Sequence, residues 1–209
     1  MRLPTMFKKA LSFLLIATML TTVTATWAEQ PHQQDPEQVI TILQETLIQA
    51  MQQGQQIGYA GRLKLLAPVI EQSHDLATII RTALGAHWAG LSTEQRQAII
   101  KTFSEHSIAT YADRFDQHDG EHFTIIEQRQ LPRERILVRS QLVQADRTTI
   151  TFDYVLHYVG NQWRIINIVV DGVSDLALKR AEYNAVLQKD DIETLIGILE
   201  DKTAQLGRN

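Results

Sequence analysis

The chain contains no cysteine in 209 residues, so no disulfide scaffold holds it together and its stability must come from an ordinary hydrophobic core. Basic residues are in the minority, 20 Lys and Arg against 24 Asp and Glu, for a net charge of −4. That balance makes a poor partner for nucleic acid or for electrostatic adhesion to an anionic membrane. There is no glycine-rich phosphate loop, no internal repeat, and no low-complexity tract beyond the glutamine-rich stretch 30–34. The most apolar run, residues 10–20, falls well short of the ~20 residues a membrane-spanning helix needs.

That run is better read as an address. Arg2, Lys8 and Lys9 precede it and Thr26-Trp27-Ala28 offers a cleavage site, the layout of an export signal over residues 1–28. No twin arginine is present, and no cysteine follows to carry a lipid. Removing a segment with three of the 20 basic residues and no acidic one leaves a mature charge of −7. The expectation is a protein working outside the cytoplasm, with a leader at 29–34 and one domain over 35–206, long enough to bury a core.

The clearest pattern lies at 148–159, where Ile150, Phe152, Tyr154, Leu156 and Tyr158 recur at every second position. Strict alternation places all five on one face of a strand. Gly160-Asn161 then supplies a two-residue hairpin turn, and residues 163–170 return, apolar on both faces. Residues 135–144 alternate Ile136, Val138 and Leu142, and 123–129 is a shorter strand. Four strands joined by short turns predict an antiparallel meander.

Helical spacing covers the rest. Asp35-Pro36 opens a helix that runs to Gly54; 59–70 is a second, bent or broken at Pro68; His74-Asp75 opens a third, ending at Gly85. Ser92 with Gln95 makes a capping box for a fourth, whose stripe includes Ile99, Phe103, Tyr111 and Phe115. Beyond the strands come helices at 175–187 and 191–206, the last capped by Asp190 with Glu193. The class is α+β: a four-stranded twisted antiparallel meander covered by six or seven helices.

Chemistry-bearing groups are sparse. His118-Asp119-Gly120-Glu121-His122 matches the spelling of a His-x-x-Glu-His zinc site, but a central glycine at a helix-to-strand junction reads as an acidic turn. Asp113, Asp116 and Asp119 read as a solvated helix end, and Ser174 as a helix cap rather than a nucleophile. His74, His87, His106 and His157 are scattered. The sequence therefore names no catalytic residue, no metal ligand and no cofactor. It does carry more large apolar side chains than a thin two-layer domain needs, which leaves two readings: a solid core, or a cavity for an apolar ligand.

Read as strings, two blocks resemble the MlaC (toluene-tolerance) family. The first is Leu66-Ala67-Pro68-Val69-Ile70, His74-Asp75-Leu76, Ala83-Leu84-Gly85-Ala86-His87-Trp88 and Leu91-Ser92-Thr93-Glu94-Gln95-Arg96, with Phe103 and Tyr111. The second is Gly160-Asn161-Gln162-Trp163-Arg164 through Val170-Asp171-Gly172-Val173-Ser174 to Arg180 and Tyr183. The likeness spans 57–202, and the wording around 171–183 is similar to the branch associated with hopanoid biosynthesis. Asn167 departs from the aspartate of many relatives.

The resemblance implies a periplasmic carrier that binds a lipid, a phospholipid or a hopanoid-related one. Its implied partners are inner-membrane ABC transporter components and an outer-membrane component. By pattern, the lipid-binding lining is placed on Ile80, Leu84, Trp88, Phe103, Tyr111, Val138, Phe152, Tyr154 and Val169. Two other readings stay open at this point. One is an NTF2-like-fold enzyme acting on an isoprenoid lipid through Asp153, His157 or His106. The other is an assembly factor with a packed core.

Overall fold

Asp35 caps the first helix by accepting the Glu37 N–H at 3.0 Å, and Pro36 stands at the first helical position, where a missing N–H costs nothing. The computed structural model describes residues 35–208; the expected export signal at 1–28 and the leader at 29–34 lie outside the described residues. The order is α1 (Pro36–Gln52), α2 (Gly54–Ser73), α3 (Leu76–Leu84), a 3-10 turn (Gly85–Gly90), α4 (Thr93–Arg114), β1 (His122–Leu131), β2 (Arg135–Val143), β3 (Thr149–Val159), β4 (Gln162–Val170), β5 (Val173–Ser174), α5 (Asp175–Leu187) and α6 (Ile192–Gln205). Among these residues no helix is long and apolar enough to cross a membrane.

The strands form one antiparallel sheet in the order β1-β2-β3-β4-β5. It is the expected meander with a two-residue fifth strand added, where the sequence suggested only a turn. Gly160 and Asn161 both have positive φ, 57° and 63°, as a tight hairpin turn matching the strand twist requires. Val138 pairs with Tyr154 and Tyr154 with Ile168, so the inward stripe runs across three strands. Tyr154 and Leu156 are 1% and 0% exposed, whereas Tyr158, the last of the five, reaches past the helices and is 40% exposed.

Helices α1, α2, α3 and α5 all touch β4, while α4 packs chiefly on α2, α3 and α6. One polar knot sits in this core. Gln44 of α1 donates to Ser140 Oγ at 2.6 Å and to Tyr154 Oη at 3.3 Å, so the buried hydroxyls on two strands are satisfied from the helix.

Three local expectations are corrected. Helix α2 runs through Pro68 without a break and is interrupted instead at Gly58, with φ 61° and ψ −176°. A residue without Cβ reaches that region at little cost, so the chain bends there. The last helix is capped by Asp191, which accepts the Thr194 N–H, rather than by Asp190. His74 does not start a helix: it bridges to Ile165 on the edge of β4, and Asp75 caps α3 through the Thr78 N–H at 2.9 Å. The Ser92–Gln95 capping box forms as expected, with both halves present.

Candidate functional site

A register shift opposite Val155 and Leu156 bends β4, and beyond it Ile168 and Val170 turn toward the helices. Asn167, beside them, uses its side-chain carbonyl as a double acceptor, from Ser174 Oγ at 3.1 Å and the Leu176 N–H at 3.2 Å. That bond sets the start of α5 against the strand. The acceptor role needs an oxygen and no charge, so the asparagine performs it in full.

Between the end of β4 and helices α3, α4, α5 and α6 lies a cavity of about 610 Å³, within the roughly 300–1,000 Å³ range of small-molecule sites. Its apolar wall comes from Leu76, Ile79, Phe103, Tyr111, Ile168, Leu176 and Tyr183. Phe103 and Tyr183 meet edge to face at 6.4 Å, and Tyr111 stacks on Phe115 at 5.8 Å, so aromatic rings stiffen two sides of the hollow.

Tyr111 is held by a buried histidine. The His74 Nδ1 lies 3.2 Å from the Ile70 carbonyl and 2.9 Å from Ser73 Oγ, whose own hydrogen goes to the Val69 carbonyl. Both neighbours act as acceptors, so Nδ1 carries the proton and Nε2 accepts the Tyr111 hydroxyl at 3.1 Å. Burial pulls the His74 pKa down from 6.5 to about 4, and it also pushes the Tyr111 hydroxyl above its ordinary range.

His74 is thus neutral in the fold, while the unfolded chain takes up a proton first as pH falls. Stability from this group is complete above about pH 6.5 and drains away toward pH 4. The loss amounts to about 3 kcal/mol. Urea unfolding between those limits should show it, and His74→Gln should flatten the slope; an unchanged slope would contradict the assignment.

His106 faces the cavity from α4. Its Nδ1 donates to Thr203 Oγ1 at 3.0 Å, because that hydroxyl already donates to the Leu199 carbonyl. With the proton on Nδ1, Nε2 is left as an acceptor. Burial, then the nearby Lys179 and Lys202, lower its pKa and keep the ring neutral.

Of the nine residues named from sequence, Phe103 and Tyr111 line this cavity. Ile80 and Leu84 are fully buried in the core, as is Val138, and Tyr154 is tied under α1 by Gln44. Phe152 stacks on Tyr154 at 6.1 Å and meets Phe123 at 5.8 Å. Trp88 lies in the 3-10 turn with the Arg96 guanidinium 5.4 Å over its ring. Val169 pairs with Asp153 and Ser174, and its neighbours Ile168 and Val170 supply the wall instead. A strand apolar on both faces gave no parity by which to choose between them. Leu76 and Ile79 stood in the same helical stripe as Ile80 and Leu84, so their apolar character was visible but their facing was not.

The groups weighed for chemistry do not converge. Asp153 accepts both arms of Arg139 at 2.6 and 2.8 Å, His157 Nε2 bonds Asp75 at 2.9 Å, and of the three only His106 reaches the cavity. His118 and His122 lie across a turn in which His118 Nε2 bonds the Glu121 carbonyl at 3.0 Å, not on one helix face. Among the described residues no three His, Asp or Glu side chains gather as a metal site.

Helices over a twisted open antiparallel sheet, with an apolar hollow of ligand size among them, define an α+β protein built around a small-molecule cavity. The family model described as MlaC protein matches residues 41–201, and the chain belongs to that family. The intermembrane phospholipid transport system binding protein MlaC of Haemophilus influenzae is 26% identical over 126 residues, 58% of this chain and 59% of that protein. The match thus spans less than two thirds of that relative's length. The solved structure of a phospholipid-binding protein from Ralstonia solanacearum, in complex with a phospholipid, shares the fold. Its TM-score is 0.69 at 18% identity, over 83% of this chain and 99% of that one.

Proposed function

We propose that this protein is a periplasmic carrier that takes the acyl chains of a lipid, a phospholipid in the first instance, into the cavity beside β4. It hands that lipid between membrane-bound components of an ABC-type transport system, with inner-membrane components on one side and an outer-membrane partner on the other. The observation that carries the reading is the apolar hollow itself, found in a chain whose relative in H. influenzae is named for intermembrane phospholipid transport. The other residues assigned from sequence (Ile80, Leu84, Trp88, Val138, Phe152, Tyr154 and Val169) form the surrounding layers and are proposed to meet the tails only if those layers part.

The energetics favour a carrier without bond chemistry. Each methylene exposed to water costs about 0.8 kcal/mol, so a tail of ~16 carbons costs on the order of 12 kcal/mol to cross unaided. A dry cavity of ~150 Å³ takes up benzene, about 25 Å³ per carbon, so 610 Å³ accommodates about 24 carbons. One long tail fits whole and a second only in part.

The test is to purify the protein without detergent, extract it with organic solvent and identify what comes out by mass spectrometry. A stoichiometric lipid is expected, and its identity separates phospholipid from a hopanoid-related ligand. Preparations that never contain lipid would refute the proposal.

A further inference from the structure

The wall of the cavity is not fastened equally all round. Asn167 ties the start of α5 to β4, His74 at the end of α2 bonds Tyr111 of α4, and Thr203 of α6 bonds His106 of α4. Past Thr203 the wall continues through Gln205 and the half-buried Leu206, where α6 gives out. Leu206 donates back to the Thr203 carbonyl at 3.1 Å. Gly207 then supplies this tail's one hydrogen bond to another element among the described residues, from its N–H to Asp113 Oδ1 at 2.9 Å.

Gly207 is seated in a clasp. Its φ is 70°, a left-handed conformation that glycine takes at little cost. The Tyr59 ring lies so close against it that a Cβ at this position would fall inside the ring. Tyr59 follows the bend at Gly58, and Arg62 further along α2 bonds the Ala112 carbonyl, next in the chain to Asp113. The two jaws, ring and carboxylate, therefore stand on helices that are joined to each other. What they grip is a short length of chain held by one hydrogen bond and one ring face. Local opening is easiest where such contacts are few, and this part of the wall swings clear without breaking a helix or a strand.

We propose that residues 206–207 form a strap across this side of the cavity, and that lipid passes when Gly207 slips from between Tyr59 and Asp113. The proposal rests on the cavity being a lipid site. Its signature is kinetic: loosening the clasp quickens both entry and escape, so the rate of exchange changes far more than the occupancy.

The test uses protein purified without detergent and loaded from vesicles of deuterated phosphatidylglycerol. It is mixed with excess unlabelled vesicles of the same lipid and re-isolated at intervals, and loss of the deuterated lipid is followed by mass spectrometry. Gly207→Ala, whose Cβ meets Tyr59 in a conformation that alanine resists, should exchange at least about threefold faster than the parent. In Tyr59→Cys with Gly207→Cys, the two Cβ atoms come within the roughly 3.5–4.5 Å that a disulfide spans, in a chain with no other cysteine. Oxidised, this double variant should exchange at least about threefold more slowly than the same protein reduced. That comparison is internal, so any structural cost of losing the Tyr59 ring cancels. Parental exchange in folded Gly207→Ala, or a single rate for the oxidised and reduced forms, overturns the strap and leaves the tail site standing. Folded parent protein that takes up no lipid overturns both.

Discussion

On the carrier proposal, Ser107→Trp is expected to reduce the lipid extracted from the purified protein by about tenfold or more and to leave the fold in place. Ser107 lines the cavity from the middle of α4, half-buried, and its hydroxyl only donates back to the Phe103 carbonyl of its own helix at 2.7 Å. Removing it therefore orphans no partner. The indole enters space that the tails would occupy, and excluding as few as two methylenes costs about 1.6 kcal/mol, a factor of roughly ten in affinity. Unfolding by urea should stay within about 1 kcal/mol of the parent, since the ring fills a void instead of displacing a packed neighbour. Full lipid occupancy in a folded Ser107→Trp protein would place the ligand elsewhere.

Arg62→Met lowers the unfolding free energy by about 4 kcal/mol. Arg62 is 8% exposed, and its guanidinium donates from Nε to the Ala112 carbonyl at 2.7 Å and from Nη1 to the Gly54 carbonyl at 2.9 Å. Ala112 lies in the last turn of α4, where carbonyls have no partner ahead, so its oxygen depends on this bond. A cation suits that place because the C-terminal end of a helix carries partial negative charge. Gly54 is the first residue of α2, four residues before the bend at Gly58, so the same guanidinium ties the start of α2 to the end of α4.

Methionine preserves the apolar stem but removes both bonds and leaves the Ala112 oxygen without a partner, at roughly 1.5–3 kcal/mol for each bond to a charged donor. Part of that loss is returned because no cation has to be desolvated. Lysine should recover less than half, since a single ammonium cannot reproduce the fork that spans two helices. The check is urea denaturation of the three proteins. A loss below about 1 kcal/mol for Arg62→Met would mean that water reaches these carbonyls.

Both results turn on features of different legibility. The hairpin at Gly160-Asn161, the alternation of β3 and the Ser92–Gln95 cap could be read from the chain because each depends on residues within a few positions of one another. Arg62 could not. Nothing in its neighbourhood marks it as buried, because its partners stand 50 residues ahead at Ala112 and at the far side of a bend that Gly58 makes possible but does not announce. The site divides the same way. Phe103 and Tyr154 are both large aromatics on well-formed apolar stripes. One borders the hollow while the other is packed under α1, with Gln44 on its hydroxyl.

The amino-acid order by itself determined the α+β class, the run of helices and strands, and the family to which the chain belongs. These follow from side-chain period, turn chemistry and capping, all of them short-range. Only the tertiary structure decided where the apolar stripes stop touching. Periodicity tells which side of an element avoids water, but not whether two such sides meet in contact or stand apart. Here the bulge in β4, the Asn167 tie to α5 and the His74–Tyr111 bond hold them apart, and each joins residues from different elements.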